Sequence, residues 1–134
     1  MKKFVCFSLI ILTFTACKKQ EFSPVGPTDV RVKNISDVPF NEVIVNTSGG
    51  IDTLGNIIPG GVSEYSRFEK AFPKAEITAK IAGTGGQVLL FSTGAVNYNG
   101  MTWVGQAKIT YSVWISDYAN RTLQVSLTLD APLD

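Results

Sequence analysis

The sequence predicts an all-β domain: an antiparallel β-sandwich of about seven to eight strands, preceded by a separate N-terminal signal helix. Three observations carry that. From Asp29 onward, short segments rich in Val, Ile, Thr, Tyr and Phe alternate with Gly, Asn, Asp and Pro punctuation. No segment there repeats its apolar residues with the period of about 3.6 that an amphipathic helix requires. The last two segments alternate apolar and polar residues with period two, which is how a strand turns one face to a core and one to water.

Taken in order, Asp29–Asn34 sets Val30 and Val32 on one face. After a turn at Asp37-Val38-Pro39, Asn41–Asn46 sets Val43 and Val45 together. Thr47-Ser48-Gly49-Gly50 is a turn into a short strand, Ile51–Ile57, which ends at the Ile58-Pro59-Gly60-Gly61 turn. Val62–Phe68 reads as a strand. Over Glu69–Pro73, the spacing of Phe68 and Phe72 fits one helical turn, and Pro73 limits its length. Glu76–Ala82 alternates Ile77, Ala79 and Ile81, and Gly83–Gly86 is a hairpin loop into Gln87–Ser92. Gly94–Gly100 is a loop or a frayed strand. In Lys108–Ser116, Ile109, Tyr111, Val113 and Ile115 alternate with Thr110, Ser112, Trp114 and Ser116. In Arg121–Asp130, Leu123, Val125, Leu127 and Leu129 alternate with Thr122, Gln124, Ser126 and Thr128. The joint between them, Asp117-Tyr118-Ala119-Asn120, has turn chemistry: Asp favours the first turn position and Asn tolerates the left-handed conformation. The two segments therefore form an antiparallel hairpin. A closed barrel is the alternative way to arrange the strands.

The N-terminus reads differently. Met1-Lys2-Lys3 is positive, and Phe4–Phe14 is an apolar run, too short for the ~20 residues that span a bilayer. It fits the apolar region of an export signal. Thr15-Ala16 then supplies small residues before Cys17, and the stretch Leu12–Cys17 resembles the lipobox of bacterial lipoproteins. Phe14 departs from the usual aliphatic residue at its position. The resemblance implies cleavage before Cys17 and thioether attachment of a diacylglyceryl group to its sulfur, a reaction that needs a soft nucleophile. Two or more acyl chains, each buried CH₂ adding ~0.8 kcal/mol, make such an anchor stable. No Asp follows Cys17, which by the same resemblance implies the outer membrane, on its periplasmic or its surface side. The expected organisation is a signal peptide over 1–16, a lipidated tether over 17–27, rich in Pro and charge, and a β-sandwich domain over 28–134. With DVRVKNIS, FNEVIVNTSGG, SEYSRFEKAF and the closing hairpin, residues 29–130 are similar to small Bacteroidetes-type lipoproteins with a transthyretin-like sandwich. That likeness brings no functional motif. The Cys…Trp…Cys marker of immunoglobulin domains is missing. Asp52-Thr53-Leu54 resembles a short O-glycosylation acceptor of the same type of bacteria.

Composition narrows the chemistry. The precursor carries 12 basic and 11 acidic residues. Lys2 and Lys3 leave with the signal, so the mature balance is 10 against 11, without the basic footprint that nucleic acid requires. There is no histidine, and the two cysteines are Cys6, in the signal, and Cys17. Ser/His and Cys/His catalysis lack their base or nucleophile, and zinc, copper or iron sites lack their usual ligands. No Ser-x-x-Lys motif or EF-hand calcium loop is present. Gly83-Thr84-Gly85-Gly86 lacks the lysine and the helix of a phosphate loop. Paired carboxylates could serve a hydrolase if two converged in a cleft. The remaining candidate is the wet face of the final hairpin, where Trp114 stands among hydroxyls, with Trp103 and Tyr98 available from the preceding loop. Such a face suits a carbohydrate-binding module; the bland alternative is that Trp114 packs under a loop or at a sheet edge. The expectation is a non-enzymatic, lipid-anchored protein with no cofactor, its partners being the membrane and a glycan or protein, not nucleic acid.

Overall fold

The structure is a computed structural model and describes residues 26–133. The signal peptide, Cys17 and most of the tether lie outside the described residues. Eight strands follow one another: β1 Thr28–Asn34, β2 Phe40–Asn46, β3 Ile51–Ile57, β4 Ser66–Phe68, β5 Glu76–Ala82, β6 Val88–Ser92, β7 Ala107–Asp117 and β8 Thr122–Pro132. They form one hydrogen-bonded sheet in the order β3-β2-β5-β6-β8-β7-β1-β4. The β6–β8 join is a single bridge, Ser92 to Thr122, so the sheet folds there into two four-stranded halves around one core. At the opposite corner, β3 and β4 approach through side chains, the Ser66 hydroxyl donating to Asp52. The result is a sandwich close to a barrel.

The alternation read from the sequence builds the core. Val30, Val32, Val43, Val45, Ile77, Ala79, Ile109, Tyr111 and Val113 are all fully buried, joined by Phe40, Phe91 and Leu123. Burying each of the Val, Ile, Leu and Phe side chains among them is worth about 1.5–3 kcal/mol. Tyr111 keeps its hydroxyl satisfied by donating to the Phe72 carbonyl at 2.5 Å, and burial pushes its ionisation well above the ordinary phenol range. In β2, Glu42 takes φ +47° at a bulge where Asn41 and Glu42 stand opposite Asn56, next to the Val43–Gly55 pair, and its N–H is met by Asn56 Oδ1 at 3.1 Å.

Several local expectations are corrected. The pairing is mostly antiparallel, but β1 runs parallel to β7 and β6 parallel to β8. The strand expected over Val62–Phe68 shrinks to β4. Val62 makes an isolated bridge to Lys33, and next to it the Ser63 hydroxyl replaces a backbone carbonyl in accepting the Val32 N–H at 3.0 Å. No helical turn forms over Glu69–Pro73; the segment stays irregular, with the Ala71 carbonyl taken by Val104 N–H and the Lys70 carbonyl by the Thr47 hydroxyl. That close contact requires Gly49, where a Cβ would come within 2.8 Å of Lys70 backbone atoms. In the β7–β8 hairpin the left-handed residue is Arg121 (φ +54°), not Asn120. Asn120 instead donates from its N–H and its Nδ2 to Asp117. Leu129, expected in the core, is 52% exposed, because β6 ends at Ser92 and leaves the far half of β8 uncovered.

Candidate functional site

The outer face of β1, β7 and β8 carries the hydroxyl array foreseen from the alternation, with Thr110 opposite Thr128, Ser112 opposite Ser126 and Trp114 opposite Gln124. It is divided in two. At the Thr110 end, Tyr65 reaches across from the segment before β4. Its hydroxyl donates to Asp130 Oδ2 at 2.7 Å, Thr110 donates to the same oxygen at 2.5 Å, and Arg31 donates to Thr110 at 2.9 Å. The Arg31 guanidinium lies 4.8 Å from the Tyr65 ring centre, and Lys108 lies 5.7 Å from it. This clasp closes over Thr110, which is only 4% exposed although alternation puts it on the wet side. Burial, then the Asp130 carboxylate, raises the Tyr65 phenol above its ordinary value.

The Trp114 end stays open. Trp114 is partly buried and lines an open hollow of about 700 Å³ with Ile35, Ser36, Asp37, Ile115 and Ser126. Ile35, 47% exposed, supplies a second apolar surface beside the indole. The β1–β2 connection that presents Ile35 is fixed by Asn34. Its Nδ2 donates to the Val38 and Ile57 carbonyls at 2.8 and 3.1 Å, while Oδ1 accepts from the Ser36 N–H and hydroxyl at 2.9 and 2.6 Å. An indole, a neighbouring aliphatic side chain, two serines and one carboxylate can stack on and hydrogen-bond a small polar ligand; they hold no nucleophile–base pair.

Trp103 and Tyr98 do not join Trp114. They gather with Phe72 at the other end of the sandwich, with ring centres 6.4 and 4.8 Å from Phe72, and Lys70 Nζ stands 5.0 Å from the Trp103 ring centre. Tyr98 donates to the Asn46 carbonyl at 3.1 Å, and burial raises its phenol. Trp114 stands seven residue steps along β7 from Ala107, at that end, a span of about 23 Å. Sequence reasoning placed the loop near the hairpin because it adjoins β7 in the chain. The structure packs its aromatic rings against Phe72 instead, while Ala95–Asn97 and Met101 border Leu123–Val125 of β8. Ile35 and the Tyr65–Arg31–Asp130 clasp were missed; their members are far apart in sequence and leave no local signal.

Three of the nine carboxylates among the described residues are in ion pairs. Asp29 binds Arg67 at 2.8 Å, Glu42 meets Lys80, and Asp130 is held in the clasp. Asp52 and Glu64 both line a second hollow, about 450 Å³, between β3 and β4. Among the described residues, no three His, Cys, Asp or Glu side chains are grouped to hold a metal ion.

No protein-family model matches the chain, and no curated protein matches it. Among solved structures it is similar to the NMR structure of a protein from Eubacterium rectale, with 14% identity and a TM-score of 0.50 over 81% of this chain and 91% of that one. It is also similar to a crystal structure of a candidate cell adhesion protein from Bacteroides uniformis, with 14% identity and a TM-score of 0.46 over 79% of this chain and 50% of that one. The first likeness shows a shared β-fold.

Proposed function

We propose that the chain is a lipid-anchored outer-membrane protein, attached through Cys17, whose β-sandwich has a non-enzymatic binding role. The binding surface in this reading is the Trp114 hollow. The observation that carries it is position: β1 begins at Thr28, whose hydroxyl donates to the Gly105 carbonyl just before β7, while Trp114 stands about 23 Å further along that strand. A tether at one end and an open aromatic hollow at the other is an arrangement for holding a ligand away from a bilayer. The ligand class favoured by an indole among hydroxyls is a glycan, whose sugar faces stack on aromatic rings while hydroxyls bond to Ser36, Ser126 and Asp37. The experiment is retention on immobilised polysaccharides, comparing the native chain with Trp114→Ala. Retention lost in the variant, with the thermal unfolding temperature unchanged, supports the reading; equal retention removes Trp114 from it.

The rival reading, a carboxylate-dependent hydrolase, draws on Asp52 and Glu64 sharing one hollow. Hydrolysis of a glycan substrate that disappears in both Asp52→Asn and Glu64→Gln would favour it over the binding role.

A further inference from the structure

We propose that the end of the domain carrying Trp103 and Lys70 rests in the headgroup layer of the membrane to which the chain is tethered. This rests on the lipid-anchor reading above and adds an orientation and a second membrane contact to it. Three observations converge. First, the chain joins the domain at this end: Gly26 lies against the Gln106 side chain, and the Thr28 hydroxyl donates to the Gly105 carbonyl at 2.6 Å, two residues from Trp103. Second, only eight residues lie between Cys17 and Gly26, and the nine steps from one to the other, even fully extended, reach about 30 Å. A lipid on Cys17 therefore keeps this end, rather than the Trp114 end, near the bilayer. Third, the surface here has the chemistry of an interface anchor. The Trp103 indole is 36% exposed, and a lysine ammonium sits beside it within reach of a lipid phosphate. Tryptophan is enriched at the membrane–water boundary, where its apolar ring and N–H are both satisfied, and lysine extends toward the headgroups. Glu69 and Lys74, both exposed, leave this end nearly neutral, so the contact relies on the indole more than on net charge.

The chain has two tryptophans, which gives a direct test. The full lipidated chain is reconstituted into phosphatidylcholine vesicles with plain or brominated acyl chains. Trp114→Phe leaves Trp103 as the emitter, and Trp103→Phe leaves Trp114. The proposal expects the Trp103 emission to be lost in brominated vesicles and the Trp114 emission to be the same in both. Equal Trp103 emission in plain and brominated vesicles, with the protein sedimenting alongside them, overturns it while leaving the anchor in place. Cys17→Ser, prepared without residues 1–16, separates the two contacts from the other side. If that chain still sediments with vesicles and its Trp103 is still quenched, docking stands on its own; if it no longer sediments while the intact chain does, the lipid is what holds the protein to the vesicle. If the intact chain does not sediment at all, both fall.

Discussion

Asn34 should be the most costly polar residue to remove, and the cost should depend on pH in a defined way when it is replaced by aspartate. Its side chain is fully buried and makes four hydrogen bonds, two donated to the Val38 and Ile57 carbonyls and two accepted from Ser36. Each such bond contributes about 0.5–1.5 kcal/mol net, and an orphaned buried group costs about 1–3 kcal/mol. The Ile57 carbonyl would be orphaned in this sense, whereas Ser36 and Val38 are only partly buried and recover water. Asn34→Ala should therefore lose about 3–4 kcal/mol, a large share of the ~5–15 kcal/mol typical of a domain. At about 4 °C per kcal/mol for this size, the unfolding midpoint should fall by roughly 12–16 °C. Asn34→Asp keeps the shape but points an oxygen at two carbonyls. Its folded-state pKa would rise above the unfolded value of about 3.9, so the variant is least impaired below that pH and loses stability as pH climbs through the folded value. Urea unfolding followed by far-ultraviolet circular dichroism between acid and neutral pH measures both. A loss under about 1 kcal/mol for Asn34→Ala, or a pH-independent loss for Asn34→Asp, would show that the Asn34 hydrogen bonds do not hold the β1–β2 connection.

Three further outcomes follow from the same geometry. Tyr111→Phe conserves volume but strips the Phe72 carbonyl of its donor, and should cost about 1–2 kcal/mol in denaturant unfolding. In the native chain, ultraviolet titration should show the Tyr111 phenol still protonated at alkaline pH where an ordinary tyrosine ionises, until unfolding releases it. Arg121→Gly relieves a left-handed backbone and should raise stability by about 1 kcal/mol; a loss would mean that the arginine side chain matters to the hairpin. The Asn120 N–H and Nδ2 lower the Asp117 carboxyl below its ordinary value. Its contribution should be complete above about pH 4 and fade as pH falls through the folded value, so the gap between native protein and Asp117→Ala should narrow on acidification.

The strands that were legible in the sequence are those whose signal is local. Period-two alternation in β7 and β8, closed by Asp117 and Asn120, specified a hairpin that the structure reproduces residue against residue, Val113 facing Val125 and Tyr111 facing Leu127. Partnerships across long stretches of chain were not legible. The parallel union of β1 with β7 joins residues nearly eighty positions apart, and no turn announces it. The Val62–Phe68 segment has strand composition, yet it fails as a continuous strand because Ser63 substitutes a hydroxyl for a ladder carbonyl. The same distinction applies to the site. Trp114 was identifiable as a lone aromatic on a polar face, but Ile35 and the Tyr65–Arg31–Asp130 clasp depend on tertiary neighbours. Trp103 and Tyr98 pack with Phe72, a neighbour some thirty positions away that no local pattern announces.

Attachment through Cys17 underlies both the proposed function and the proposed orientation. Its most direct measurement is the intact mass of the protein extracted from the native host's membranes, alongside Cys17→Ser. The expected result is a chain that starts at Cys17 and carries a diacylglyceryl adduct, absent from the serine variant. A native chain without lipid, or a serine variant that still bears it, rules out attachment through Cys17.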